Sequence, residues 1–159
     1  MQWIMERLML WIFSMSAPRL LLHVDDDKDW AFLIERALAK SGLTKWQYQH
    51  LAGGRAALDY LTGAKTGGAR LPDLIVLDIR MPEIDGMEIL EWVTHNLPEV
   101  PAVMLSSSDL LSDRLEARDL GSKGYFSKEM VFSEFVEFLR QWDETALARR
   151  HDGNVPTQG

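Results

Sequence analysis

Asp25, Asp26 and Asp27 stand side by side at the end of one apolar run, and Asp78 ends another. Ser106 ends a third run, and Lys128 follows a fourth. Carboxylates crowded together repel unless a cation neutralises them. Oxygen-only ligands select a hard cation, and Mg²⁺ is held through one or two carboxylates plus waters and substrate phosphate. If Asp25, Asp26 and Asp78 converge, Asp78 is placed as a nucleophile toward a phosphoryl group, as carboxylates are in aspartyl-phosphate chemistry. Mg²⁺ would draw charge off the equatorial oxygens. Lys128 would add a point charge to the same oxygens. Ser106 would offer a hydroxyl that reaches the new phosphoryl oxygen only by moving, which is how a switch works.

Convergence depends on the elements that carry these residues. Arg19 to Val24 is a short apolar run and reads as a buried strand. Asp29 to Lys40 puts Trp30, Leu33, Ala37 and Leu38 on one helical face and closes on Ser41-Gly42. Lys45 to His50 alternates, with Trp46 and Tyr48 on one side, and suits a strand nearer an edge. Gly54 to Leu61 is a short helix, and Thr62 to Leu71, with Gly63, Gly67 and Gly68, is a loop. Leu74 to Leu77 is a buried strand ending at Asp78, and Met87 to Asn96 is a helix. Ala102 to Leu105 is a strand ending at Ser106, and Ser112 to Leu120 is a helix stopped by Gly121. Gly124 to Phe126 is a last short strand before Lys128. Val131 to Trp142 is an amphipathic helix carrying Phe132, Phe135, Val136, Phe138 and Leu139. From Asp143 the chain is polar and reads as a frayed tail.

Strands alternating with helices five times imply a parallel sheet covered on both faces, with right-handed crossovers. Ligands in such sheets bind beyond the carboxyl ends of the strands, near a topological switch point. The acid run, Asp78, Ser106 and Lys128 all lie just past predicted strand ends, so the topology brings them to one edge.

Composition narrows the function classes. The net charge of -7 argues against an electrostatic grip on nucleic acid. With no cysteine, disulfides, thiolate catalysis and zinc-thiolate sites are excluded. Hydrophobic residues at 47% are enough for a real core. Residues 1–17 form an apolar extension, interrupted by Gln2, Glu6, Arg7 and Ser14 up to Met15. A spanning helix needs ~20 apolar residues, so this stretch is too short, and it lacks the basic start of a signal peptide. The expectation is a poorly ordered or gene-model extension with Met15 as the natural start, ahead of a helix packing on a partner. Membrane contact by residues 1–15 is not expected.

The sequence resembles the receiver domain of two-component response regulators. The resemblance runs from Arg19 to Trp142 and rests on LLHVDDD (21–27), LIVLDIRMPEIDG (74–86), PAVMLSS (101–107) and GSKGYFSK (121–128). The loop after Leu58 to Leu61 is similar to that of single-domain regulators of the chemotaxis and phytochrome-associated branch. The resemblance implies a flavodoxin-like, doubly wound (βα)5 fold with strand order 2-1-3-4-5, over residues 18–142, followed by a flexible tail at 143–159. It implies that Asp78 is the phosphoacceptor. It further implies that Mg²⁺ is bound directly by Asp26, through water by Asp25, by Asp78, and by the backbone carbonyl of Arg80. Ser106 is then the switch hydroxyl, Tyr125 the aromatic that turns inward on activation, and Lys128 the phosphate-pairing lysine. Pro82 and Gly86 shape the loop behind the site, with Gly86 suited to positive φ. Glu129 stands where many relatives have proline, so no cis peptide is expected after Lys128. Ser106 replaces the commoner threonine and keeps its hydroxyl. Asp27 is a spare acid, solvated or capping the first helix.

Such a protein takes its phosphoryl group from a sensor histidine kinase or histidine phosphotransfer protein, works in the cytoplasm, and is not an enzyme beyond its own dephosphorylation. Only a short segment follows Trp142, so output through protein contact is expected, with the partner unknown. The face from Ser112 to Trp142, where Phe132, Phe135 and Phe138 leave apolar surface, is the expected contact and a candidate for a homodimer.

Taken singly, each of these residues has an ordinary structural explanation. Acids cap helices, Ser106 to Ser108 suit a turn, Lys128 suits a surface, and Tyr125 suits half-buried packing. His23 reads as a core or edge histidine. His50, His95 and His151 have no metal-ligand spacing, and Gly53-Gly54 lacks the Lys-Ser/Thr of a phosphate loop. Only their joint order carries the functional reading. A haloacid-dehalogenase-type phosphatase wants a second acid two residues after the nucleophile, where Arg80 stands. A receiver-like interaction module that works without phosphorylation is the alternative.

Overall fold

The computed structural model describes residues 5, 18–129 and 131–152. Five parallel strands form one sheet, β1 (Arg19–Val24), β2 (Trp46–Leu51), β3 (Leu74–Leu77), β4 (Ala102–Ser106) and β5 (Tyr125–Ser127). Their spatial order is β2-β1-β3-β4-β5. Five helices alternate with them, α1 (Lys28–Lys40), α2 (Gly54–Lys65), α3 (Gly86–Asn96), α4 (Leu111–Asp119) and α5 (Val131–Asp152). This is the flavodoxin-like topology. β1 and β3 are neighbours although a strand intervenes in sequence, so a switch point lies between their carboxyl ends.

The near-continuous apolar runs of β1, β3 and β4 follow from burial on both sheet faces. On one face Leu22, Val24, Ile75, Leu77 and Met104 pack with Ala57, Leu61, Ile89, Leu90 and Val93 from α2 and α3. On the other, Leu21, Val76, Val103 and Leu105 pack with Ile34 and Leu38 of α1 and Phe135 and Leu139 of α5. The alternation of side chains along each strand thereby splits one sheet between two cores.

Helix ends follow local chemistry. Asp27 caps α1 by accepting from the amides of Asp29 and Trp30. Asp85 and Glu88 form a capping box at the start of α3. Ser41 closes α1, and Gly42 follows with φ of 73°.

Two elements differ from the sequence reading. α2 continues through Gly63 to Lys65, where a loop was expected from Thr62. Ala57, Leu61 and Ala64 are buried at helical spacing, and that burial outweighs the cost of one glycine. α5 continues past Trp142 to Asp152, where a frayed tail was expected. Asp143 anchors the extension by accepting from Arg19 Nη1 at 2.6 Å. The residues that follow, Ala146 to Arg149, are strong helix formers.

The apolar part of the 112–142 face also differs. Phe135 is core, at 1% exposure, and Phe138 packs against the same cluster. The Phe132 side chain lies outside the described residues, as do the segments 1–4, 6–17 and 153–159. Exposed apolar surface comes instead from Leu110, Leu111 and Leu115 around α4. No described helix is long and apolar enough to cross a membrane.

Candidate phosphoryl-transfer site

β1 and β3 run in register, with Val24 opposite Leu77, so the residue after each strand falls at the same height. The Asp78 amide donates to the Val24 carbonyl at 2.9 Å and fixes that pairing beyond the ladder. The carboxylates of Asp25, Asp26 and Asp78 each offer an oxygen within 4.8 Å of the others. Asp25 and Asp78 are buried, and Asp26 is exposed at the mouth. Such a set of oxygens suits a hard divalent cation with waters completing its shell. The Arg80 side chain points away from this cluster and pairs with Asp113 of α4 at 3.4 Å.

On the other side, β4 and β5 place Ser106 opposite Ser127, and the Lys128 amide donates to the Ser106 carbonyl at 2.8 Å. The Lys128 side chain is buried, with Nζ 2.6 Å from Asp25 Oδ2 and 3.4 Å from Asp78 Oδ1. Sequence analysis paired this lysine with phosphate alone, whereas here Asp25 is its nearer partner. Lys128 also lies 5.3 Å from the centre of the Trp30 ring, a cation–π contact. Ser106 is fully buried, and its Oγ accepts from the Ser108 amide at 3.1 Å.

The two buried acids respond oppositely to their surroundings. Burial pushes the Asp78 carboxyl up to about 6, the charges of Asp25 and Asp26 reinforce this, and Lys128 opposes it. Burial also pushes Asp25 upward, but His23, Lys128 and the Asp27 amide together hold it below the usual carboxylate range. Asp25 thus carries its charge readily, while Asp78 ionises at a cost that a cation would offset.

Tyr125 is half-buried, and its hydroxyl donates to the Ser108 carbonyl at 2.7 Å. The Arg114 guanidinium covers its ring at 4.7 Å. Burial raises its phenol above the ordinary value. The Ser108 hydroxyl in turn donates to Asp113. Ser106, Ser108, Tyr125 and α4 are therefore mechanically linked.

The loop behind the site, Pro82 to Gly86, is shaped by two close approaches. A Cβ on Gly86 would lie 2.0 Å from the Asp78 carbonyl oxygen. Its φ is not positive, so clearance rather than left-handed backbone requires glycine here, a correction to the sequence reading. A Cβ on Gly54 would lie 2.3 Å from the Ile84 carbonyl oxygen, so Gly54 is a spacer between α2 and this loop. The positive φ belongs to Glu83, at 66°, which centres a γ-turn closed by the Ile84 amide on the Pro82 carbonyl at 2.8 Å. No cis peptide occurs among the described residues.

The sequence reading of His23 as a core or edge histidine is borne out by its burial, but that reading did not place His23, Tyr48 and His50 beneath the acids. His23 is fully buried, with Nδ1 2.8 Å from the Tyr48 hydroxyl and Nε2 3.6 Å from Asp25 Oδ2. His50 Nε2 lies 2.8 Å from the Asp25 carbonyl oxygen and donates to it. The available signal was polar residues at alternate positions of an otherwise apolar strand, His23 sharing a face with Asp25.

A doubly wound parallel sheet thus carries three carboxylates and a buried lysine at its switch point. The described family "Response regulator receiver domain" matches residues 21–140. The chain belongs to this family, and thus to the proteins of two-component signalling. It is 34% identical over 135 residues to a probable methanogenesis regulatory protein, FilR2, of Methanothrix harundinacea, covering 84% of this chain and 86% of that one. The phosphorylated cyanobacterial phytochrome response regulator RcpA superposes with a TM-score of 0.68 at 29% identity, covering 84% of this chain and 96% of that one. The Mn²⁺-bound response regulator Rcp1 superposes with a TM-score of 0.67 at 26% identity, covering 77% and 91%. Against several other curated relatives, transcriptional regulators among them, the chain spans about half their length, 52–54%.

Proposed function

We propose that Asp78 accepts a phosphoryl group from a phosphohistidine of a sensor kinase or phosphotransfer protein, and that the resulting change of shape is the signal. One observation carries this reading. Three carboxylates meet within 4.8 Å, and a buried lysine bridges two of them. The carboxylates of Asp25, Asp26 and Asp78 fit Mg²⁺, with the Arg80 carbonyl as the further ligand the resemblance implies, and the cation would supply charge neutralisation to the transferring group. An Asp78 carboxylate oxygen attacks phosphorus in line. The O–P bond forms as the donor's N–P bond breaks, and the donor imidazole leaves with the electron pair. Later attack by water on the acyl phosphate returns free Asp78 and phosphate.

Lys128 then turns its ammonium to the phosphoryl oxygens, and the Ser106 hydroxyl follows, releasing the Ser108 amide. Displacement of Ser108 reaches Tyr125, whose hydroxyl grips its carbonyl, and α4, whose Asp113 it contacts. Output through the 112–142 face is the expected consequence, with exposed Leu115, flanked by Leu111, as its apolar part. A homodimer would form on the same face.

The test is incubation with acetyl phosphate and Mg²⁺, read by intact mass, with Asp78→Asn beside the wild type. A Mg²⁺-dependent phosphoryl adduct on the wild type alone supports the assignment. A stable adduct on the variant, or none on either with acetyl phosphate and with histidine-phosphate donors, defeats it.

A further inference from the structure

α1 and α5 pack on the same face of the sheet and leave an open groove of about 1050 Å³ between them. Leu33 and Ala37 line it from α1, and Val136 and Phe138 from α5. Leu33 is 40% exposed, and its neighbour Phe32 is 58% exposed. An apolar cleft running along two helices suits the apolar face of a third. A second copy of this face would bring the same concavity and could not fill it. The two sides of the groove differ in charge, α1 contributing Arg36 and Lys40 and α5 contributing Glu134 and Glu137. Among the described residues Arg36, Lys40 and Glu134 form no ion pair.

Arg140 stands at one end of the groove and donates to the Ser41 carbonyl at 3.1 Å. That end adjoins the start of β1, where the Arg19 side chain binds Asp143 of α5 at 2.6 Å and its amide donates to the Lys45 carbonyl at 2.6 Å. The chain preceding Arg19 therefore leaves the fold beside the mouth of the groove. Of residues 1–17 only Met5 is described, and it is helical and 65% exposed. At about 100° per residue, helical spacing gathers Ile4, Met5, Leu8, Met9, Trp11 and Ile12 on one face. Gln2, Glu6, Arg7 and Ser14 fall opposite, with Glu6 and Arg7 on the two flanks. A helix over residues 1–13 would span about 20 Å, the length of the 13-residue α1. Residues 14–18 then supply the connection to β1.

We infer that residues 1–13 dock as an amphipathic helix into the groove between α1 and α5 of the same chain, with the apolar face around Leu8 on Leu33 and Val136. Glu6 then faces the basic α1 side and Arg7 the acidic α5 side. The short tether holds the segment at a roughly millimolar effective concentration, so modest apolar burial is enough to seat it. Once seated, it covers the exposed part of α1 and withholds that face from other proteins until it is displaced. The inference does not depend on the phosphoacceptor reading.

The chain has no cysteine, so Gln2→Cys in the full-length protein gives one site for a nitroxide, at the end of the segment remote from its tether. Backbone amide signals of α1 and α5 around Leu33 and Ser133 are expected to lose intensity, while those of α3, on the opposite face of the sheet, keep theirs. A mixture of nitroxide-bearing chain without ¹⁵N and ¹⁵N-labelled chain without nitroxide is expected to show no loss. Leu33→Glu, at an exposed position that leaves the core intact, is expected to restore the α1 and α5 signals. Glu134→Arg should restore them in part, since an exposed ion pair weighs little, and adding Arg7→Glu should bring the loss back. No loss on α1 and α5, an equal loss over α3, or a loss that survives Leu33→Glu overturns the inference. Loss in the mixed sample means that a second copy fills the groove, and overturns it as well. Charge variants that change nothing overturn the pairing of Glu6 and Arg7 with the two sides, and the inference with it.

Discussion

Asp78→Asn replaces a buried carboxylate by an amide of nearly the same shape. In the folded protein this carboxyl is pushed from 3.8 to about 6, first by burial and then by the charges of Asp25 and Asp26, with Lys128 opposing. At about 1.36 kcal/mol per pH unit, ionising it costs the folded state about 3 kcal/mol. Folding favours the protonated form, so its contribution is complete below about pH 4, declines as pH rises, and is gone above about pH 6. In metal-free buffer near pH 7.5, Asp78→Asn should therefore be more stable than the wild type, by up to about 3 kcal/mol. The gain should fade on going down toward pH 4. It should also shrink in saturating Mg²⁺, because the cation binds the folded wild type and offsets the crowded charge there. Urea unfolding followed by tryptophan fluorescence, with EDTA or Mg²⁺ at several pH values, measures both effects. A variant no more stable than wild type in EDTA near pH 7.5 would refute the burial argument. A gain that persists undiminished in Mg²⁺ would refute the placement of Asp78 in a cation site.

Three further outcomes are expected. Lys128→Ala leaves the Asp25 carboxylate buried without its cation and should destabilise by about 3–5 kcal/mol; it should still label with acetyl phosphate while its response to beryllofluoride weakens. A normal activated-state spectrum in that variant would count against the role of Lys128. Gly86→Ala drives a Cβ toward the Asp78 carbonyl and should cost about 3 kcal/mol or more, a loss that thermal unfolding would detect. Tyr125→Phe removes one hydrogen bond to Ser108 and should cost about 1 kcal/mol; phosphorylation measured by mass should survive, whereas a matching loss of labelling would place Tyr125 in the chemistry instead.

Strand and helix periods, read in order, were enough to specify the alternating sheet, because buried parallel strands are apolar throughout and surface helices are apolar on one face. Placement of Asp25, Asp26, Asp78, Ser106 and Lys128 at one edge followed as well, since carboxyl ends of parallel strands all point the same way. Caps at Asp27 and Ser41-Gly42 were legible because capping is local chemistry. The lengths of α2 and α5 were not, because burial of Ala64 and the grip of Arg19 on Asp143 are contacts between distant parts of the chain. Nor could spacing reveal why Gly86 and Gly54 are glycine, since the atoms they avoid, the carbonyls of Asp78 and Ile84, arrive only on packing. The same holds for Lys128 and His23. Their types and positions are local, but that both converge on one oxygen of Asp25 is decided by distances through space, and distance determines which charge pairs with which.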